Sequence, residues 1–202
     1  MKSLQFLLFL LLLTTSAVSQ SAMITQTVGG MDNLYFDDWG HAFGSAIGTG
    51  VAANSVSLNG NAFNFSEASS IDISATGEVV DNGITPTDAN GIPNNFMDGN
   101  FRDLPVYSLI GIWSSTEDDI TPVGGLFSQP FFIGTNLLLS FTDIPSESNL
   151  FLFLAENDGI FSDNSGSYEV NLDVQFVPLP AGVVLFMSGL LGLFATRFRR
   201  SS

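Results

Sequence analysis

The chain has 202 residues, with 20 acidic and five basic side chains, a formal net charge of −15 and no cysteine. Phosphate binding requires clustered lysine and arginine, so this composition excludes nucleic acid as a partner. Without cysteine the fold has no disulfide, and core packing, a bound metal ion or both must stabilise it.

Residues 1–22 have the pattern of a secretory signal peptide. Lys2 supplies the positive charge, an apolar run extends from Leu4 to Leu13, and small residues follow it. The best match to a cleavage site is Ala17-Val18-Ser19. The alternative is a retained membrane anchor, but the apolar run is nearer in length to the core of a signal peptide than to a membrane span.

Residues 23–176 form an acidic body. All 20 acidic side chains lie between Asp32 and Asp173, and Arg102 is the one basic residue of this region, which leaves a charge of about −19. A body with so much negative charge repels itself, and divalent cations relieve that repulsion. An anionic membrane surface is therefore a poor partner for it.

Strand patterns dominate the body, and helical patterns are scarce. Apolar and polar residues alternate from Tyr168 to Phe176, as in a strand with one buried face. The run from Leu150 to Ala155 is apolar throughout, which is typical of a strand buried on both faces in the middle of a sandwich. Shorter strands are predicted near Val56, near Ile71, from Val106 to Trp113 and from Asn136 to Phe141.

Turn residues separate these strands, and Met23–Gly50 is predicted to be largely irregular because of its glycines. The fold class predicted for residues 23–176 is all-β, a single jelly-roll-like β-sandwich. Trp113, at the end of an apolar strand, is predicted to pack in its core.

The loop before the last strand is rich in oxygen-bearing side chains. Asp158, Asp163 and Asn164 lie within seven residues, and Gly159 and Gly166 permit a tight turn. Such a loop is either a polar hairpin turn or a cradle for Ca²⁺, which takes carboxylate, amide and backbone oxygens. The residue order of an EF-hand is absent.

The region from Tyr107 to Val174 resembles the PA-I galactophilic lectin family in the stretches SLIGIW, TPVGGLF and DNSGSYEV. Members of that family are small bacterial β-sandwiches that bind galactose through calcium. The resemblance implies side-chain ligands from Asp158, Asp163 and Asn164 and a backbone carbonyl ligand from Ile160, with sugar hydroxyls completing the coordination sphere. The sugar-contacting loop of the family corresponds roughly to residues 81–101, where no individual contact is assigned.

Enzyme motifs are lacking. His41 is the single histidine, and the sequence contains no G-x-S-x-G elbow, no cysteine nucleophile and no H-E-x-x-H zinc motif. We therefore expect a protein that is not an enzyme, with His41 in a structural or surface role.

The C-terminal residues 177–202 combine a proline motif, an uncharged apolar run and a basic end. They resemble the PEP-CTERM sorting signal of Gram-negative bacteria, and the proline motif is Val177, Pro178, Leu179, Pro180. The resemblance implies recognition and cutting by an exosortase, with a transmembrane helix stopped on the cytoplasmic side by Arg197, Arg199 and Arg200. A buried core helix is the alternative, and the glycines and terminal arginines argue against it.

The sequence thus predicts an exported, non-catalytic protein, first anchored in the inner membrane and then delivered to the cell envelope or the extracellular matrix. Its expected ligands are Ca²⁺ and a polysaccharide or galactose-like sugar. The alternative is a structural matrix protein in which the calcium loop only stabilises the fold.

Overall fold

The computed structural model describes residues 20–36, 38–40, 50–81, 86–93 and 101–177. The signal peptide, His41, most of the expected sugar-contacting loop, the prolines of the sorting motif and the C-terminal arginines lie outside these ranges. Contacts divide the chain into one unit, Ser21–Gln175, and a second that comprises the two ends.

The described part of the chain is all-β, with antiparallel sheets packed as a sandwich and with no α-helix. Three single turns of 3-10 helix interrupt the strands. The strands are β1 (Ser21–Gly29), β2 (Asp32–Asn33), β3 (Val51–Ala52), β4 (Ser57–Leu58), β5 (Asn61–Ala62), β6 (Ala68–Asp81), β7 (Asn90–Ile92), β8 (Val106–Ser114), β9 (Phe131–Phe132), β10 (Asn136–Ser140), β11 (Phe151–Glu156) and β12 (Asn164–Phe176).

The first sheet has the strand order β1-β12-β6-β10. β1 runs antiparallel to β12, from Ser21 opposite Gln175 to Gly29 opposite Ser167. β10 runs antiparallel to β6 at the other end of the sheet. The predicted alternation in β12 is confirmed on its apolar face, where Tyr168, Val170, Leu172 and Val174 are all fully buried. β12 is therefore an interior strand with a neighbour on each side.

The second sheet has the strand order β11-β8-β7, and β9 also pairs with β8. Every residue of β8 and of β11 is buried. On one face of the sheet, Ile110, Ile112, Phe153 and Ala155 pack against Leu34. The residues that alternate with them point to the opposite face and are buried as well. The predicted burial of β11 on both faces is confirmed.

The position of β11 differs from the expected one, because it ends the strand order of its sheet instead of lying in the middle. The segment that precedes β6 covers its outer edge. Val56 N–H donates to Leu152 O at 2.8 Å, and Phe65 N–H donates to Leu150 O at 2.7 Å. These bonds satisfy backbone groups that an edge strand would expose to water.

β1 is the main element that the sequence did not indicate. Only Ile24 and Val28 of this strand are fully buried, and they lie four positions apart, so the alternation of apolar and polar residues is weak. The strand begins at Ser21, two residues before the predicted start of the body. Cleavage after Ser19, at the best-matching site, would leave the whole strand in place.

Trp113 is a core residue, as predicted. It is almost fully buried, its ring lies edge-on to Phe65 with centroids 5.7 Å apart, and it stacks on Phe131 at 6.1 Å. Such offset and edge-on pairs stabilise a core beyond the area they bury.

Candidate functional site

The loop between β11 and β12 connects the two sheets. β11 ends at Glu156, one turn of 3-10 helix covers Phe161–Asp163, and β12 begins at Asn164. The Phe161 side chain is buried and fixes the turn to the body. Two polar residues, Glu156 and Asn164, thus lie at adjoining strand ends, and both are more than nine-tenths buried.

The side-chain amide of Asn164 is the centre of a buried cluster of oxygen atoms. Its Nδ2 donates to Glu156 Oε2 at 2.8 Å, to Asp158 Oδ2 at 2.8 Å and to Gly30 O at 2.9 Å. An amide nitrogen carries two hydrogens, so it cannot satisfy three acceptors at the same time. The cluster therefore holds more acceptors than donors.

Other buried atoms of this region have no hydrogen-bond partner at all. Within the described part of the chain these are Glu156 Oε1, Asn164 Oδ1 and both polar atoms of the Asn33 side chain. Glu156 and Asn33 are each only 1% exposed. A buried polar atom without a partner costs about 1–3 kcal/mol. Glu156 Oε1 and Asn164 Oδ1 are acceptors, so a bound cation, a proton or a water molecule would satisfy them.

Burial and mutual repulsion raise the pKa of both carboxylates. The pKa of Glu156 lies well above its usual value, first because burial disfavours the charged form and then because Asp158 repels it. Burial likewise raises the pKa of Asp158 to about 6, although hydrogen bonds from Gly159 and Asn164 oppose the shift. Two adjacent buried carboxylates require a proton or a cation to be stable.

Tyr107 links a further carboxylate, that of Asp81, to the surroundings of this cluster. Its hydroxyl donates to Asp81 Oδ2, and its carbonyl accepts from the Tyr168 hydroxyl at 2.6 Å. Burial and then the Asp81 contact raise the pKa of the Tyr107 hydroxyl, so it remains a donor. Its φ is +60°, a left-handed conformation that is strained for a tyrosine. Three hydrogen bonds, including Tyr107 N–H to Asn157 O at 2.8 Å, hold it there.

Asn157 fastens the preceding segment to the loop instead of facing the oxygen cluster. Its Nδ2 lies 3.0–3.1 Å from the carbonyls of Phe101, Leu104 and Pro105, and its Oδ1 accepts from Phe101 N–H at 3.0 Å. The residue is fully buried. Its role in the described structure is to hold residues 101–105 against the end of the second sheet.

The residues expected to bind calcium separate into two groups. Asp158 and Asn164 are buried and in direct contact. Asp163 is exposed, and the Ile160 side chain is 54% exposed at the outer side of the 3-10 turn. The structure brings the first pair together and leaves Asp163 at the surface.

Glu156 and Gly30 join the site without having been expected there. Glu156 carried a usable signal, since it is an acid that directly follows an all-apolar buried strand. Gly30 lies 134 positions from Asn164 in the sequence, and no local pattern indicates that contact.

The donor set fits a hard cation in its chemistry. Two carboxylates, an amide oxygen and a backbone carbonyl are the ligand types that Ca²⁺ prefers. Within residues 20–36, 38–40, 50–81, 86–93 and 101–177, no group of three or more His, Cys, Asp or Glu side chains is placed to hold a metal ion. Amide and backbone oxygens would therefore have to supply part of the coordination.

Two further expectations concern other parts of the chain. Arg102 is exposed on the surface. The described residues form no helix that is long and apolar enough to cross a membrane, and the predicted sorting helix lies outside them.

No protein-family model matches this chain. No curated protein is significantly similar to it. The resemblances stated above therefore rest on the quoted motifs.

Proposed function

We propose that this chain is an exported, non-catalytic protein of the cell envelope or exopolysaccharide matrix, and that its jelly-roll-like sandwich binds Ca²⁺ beside Asn164. One observation carries the proposal. Three acceptor oxygens from Gly30, Glu156 and Asp158 converge on a single buried amide that has two hydrogens, while further oxygens of the same cluster have no partner.

Calcium would remove the electrostatic cost of this arrangement. Glu156 and Asp158 would hold it with their carboxylates, Asn164 with its amide oxygen after a rotation of the amide group, and Gly30 with its backbone oxygen. The ion would neutralise two buried carboxylates whose pKa values are raised by burial. It would also bind the end of β11 to the start of β12 and so strengthen the connection between the sheets.

Burial favours a structural role for this ion. Glu156, Asp158 and Asn164 are all less than 8% exposed, so a sugar has little access to the proposed ligands. A lectin site of the galactophilic type needs calcium positions open to sugar hydroxyls, and of the residues expected to bind calcium only Ile160 and Asp163 are exposed. We therefore place the structural matrix role first and direct, calcium-mediated galactose binding second.

Export and sorting belong to the same proposal. A signal peptide at residues 1–22 and a sorting signal at residues 177–202 would deliver the body through the inner membrane to an exosortase. The charge of about −19 on the body suits an environment rich in divalent cations, where it would be screened.

Calorimetric titration of the full-length chain with Ca²⁺, in mild detergent, tests the calcium site. Asp158→Asn should remove most of the binding heat, and the matched change Asp72→Asn, at an exposed position of β6, should retain it. Asp163→Asn separates the two versions of the site, because it weakens binding only if the exposed loop takes part. Equal heats from the wild type and Asp158→Asn would refute the site.

Retention on a galactose column distinguishes the two roles. Retention that EDTA abolishes supports the lectin role. A loss of thermal stability in EDTA, with no retention in calcium, supports the structural role.

A further inference from the structure

A polar cleft lies at the end of the second sheet that is opposite the Asn164 cluster. Its volume is about 460 Å³, and Phe153 of β11 forms part of its floor. The hairpin β4–β5 contributes one wall, and Glu117 and Asp118, in the turn after β8, contribute the other. Ser114 of β8 is opposite Phe151, whereas Leu109 is opposite Glu156, so this turn and the carboxylate cluster are at opposite ends of β11.

The hairpin wall is rigid. Leu58 pairs with Asn61, and the two residues between them, Asn59 and Gly60, have φ values of +54° and +82°. Positive φ at both central positions defines the type I′ turn that best matches the twist of paired strands. Asn61 is therefore presented to the cleft from a fixed backbone.

The opposite wall is also fixed, because a buried hydroxyl organises the turn. Ser114 Oγ accepts from the N–H groups of Thr116 at 3.2 Å and Thr121 at 3.0 Å, and it lies 3.0 Å from the carbonyl oxygen of Asp119. Ser114 is fully buried. The backbone that carries Glu117 and Asp118 is thus held in place before any ligand arrives, which lowers the entropic cost of binding.

The chemistry of the lining selects the ligand. The amides of Asn54 and Asn61 both donate and accept hydrogen bonds, whereas the carboxylates of Glu117 and Asp118 only accept. Among the described residues that line the cleft none is basic, which disfavours anions such as phosphate, sulfate or a uronic acid. The ligand must present more donors than acceptors and a neutral or positive charge.

The size of the cleft argues against a lone cation. Its volume is more than ten times the roughly 30 Å³ that a water molecule occupies in the liquid. Binding pockets for small organic ligands have volumes of about 300–1,000 Å³, so this cleft has room for one or two sugar rings.

We propose that the cleft binds an amino sugar, with its protonated amine at Glu117 and Asp118 and its hydroxyl groups at Asn54 and Asn61. A hydroxyl-rich ring with one positive charge meets each requirement of the lining. The acidic body favours the approach of such a ligand. This site lies apart from the Asn164 cluster and does not depend on calcium binding there.

Calorimetric titration of the full-length chain with a tetramer of β-1,4-linked glucosamine tests the proposal, with the fully N-acetylated tetramer as the matched uncharged ligand. The experiment is run in calcium and at mildly acidic pH, where the amine is protonated. The variant Glu117→Gln/Asp118→Asn keeps the shape of both side chains, and Glu147→Gln/Asp72→Asn removes the same charge from exposed positions elsewhere. Circular dichroism checks that all the proteins are folded.

The free-amine tetramer should bind at least about tenfold more tightly than the N-acetylated one, because charge-assisted hydrogen bonds are about twice as strong as neutral ones. The cleft variant should lose about tenfold in affinity for it, while the control variant should retain its affinity within about twofold. The proposal would be overturned if the cleft variant and the control variant bound the free-amine tetramer equally well. Equal affinity of the wild type for the two tetramers, or no heat from either tetramer, would also overturn it. Failure of calcium binding in the Asp158→Asn comparison would leave this result unaffected.

Discussion

Replacing Glu156 with glutamine should have opposite effects in the presence and absence of calcium. Glutamine keeps the oxygen that accepts from Asn164, and it replaces the unpartnered Glu156 Oε1 with a donor beside an acceptor-rich cluster. It also removes a carboxyl group whose charged form is disfavoured by burial and by Asp158. Without calcium, the free energy of unfolding should therefore rise by about 1–3 kcal/mol, the cost of leaving a buried polar atom without a partner.

The expected change in the free energy of unfolding is large enough to measure by thermal unfolding. For a domain of this size, 1 kcal/mol changes the melting temperature by about 2–4 °C, so the variant should melt roughly 4–8 °C higher in EDTA if the gain is 2 kcal/mol. In calcium at a hundredfold excess over the dissociation constant, the wild type should gain about 2.7 kcal/mol by mass action. The variant should gain much less, because it has lost a carboxylate ligand. Thermal unfolding followed by circular dichroism in both buffers measures all four values.

The matched control is Glu147→Gln, which removes a charge from an exposed side chain and should change stability by no more than about 0.5 kcal/mol in either buffer. A Glu156→Gln protein that melts lower than the wild type in EDTA would refute the account of the cluster as acceptor-rich. A variant that gains as much from calcium as the wild type does would show that Glu156 is not a ligand.

Three further predictions concern the same fold. Without calcium, the free energy of unfolding should fall as the pH rises from about 4 through about 6. The raised pKa of Asp158 means that the folded state binds more protons than the unfolded state in this range. Urea unfolding across the range tests this, and a flat profile contradicts it. Asn157→Ala should cost about 3 kcal/mol in urea unfolding, because it removes a buried amide that is hydrogen-bonded to the backbone of residues 101–105. Asn136→Ala, at an exposed strand end, should cost under about 1 kcal/mol, and equal losses would contradict the anchoring role. Gly77→Ala should lower the free energy of unfolding by more than about 2 kcal/mol, because φ is +96° and the added methyl group would meet the backbone of the neighbouring strand. Gly125→Ala, with φ of +73° and open space around it, should lower it by about 1 kcal/mol, and thermal melts compare the two variants.

The strands with strong patterns were predictable from sequence, and the others were not. β12 alternates strictly, and β8 and β11 are apolar throughout, so both of their faces had to be covered. β6 is longer than its apolar centre near Ile71 indicated, because Gly77 interrupts the pattern without ending the strand. The cover over the outer edge of β11 depends on backbone bonds from Val56 and Phe65, and backbone bonds leave no trace in residue type.

The candidate site was predictable in part. The resemblance brought Asp158 and Asn164 to attention, and the structure places them in contact. The role of Asp163 stays a prediction, and its exposure separates it from the buried pair. Glu156 follows an apolar strand and reads locally as the start of a turn, although the sheet continues through it. Gly30 enters through the pairing of distant strands, which no short motif encodes.

The interior position of β12 determines how the body responds to a mechanical load. The strand leads directly towards the C-terminal tail, by which we propose that the chain is held during sorting, and β1 and β6 flank it. Tension along β12 would act in shear, so the ladder with β1, which extends from Ser21 to Gly29, must yield nearly all at once. A load applied across the strands would instead peel the ladder apart one hydrogen bond at a time. A tether attached here therefore loads one of the most resistant parts of the sandwich.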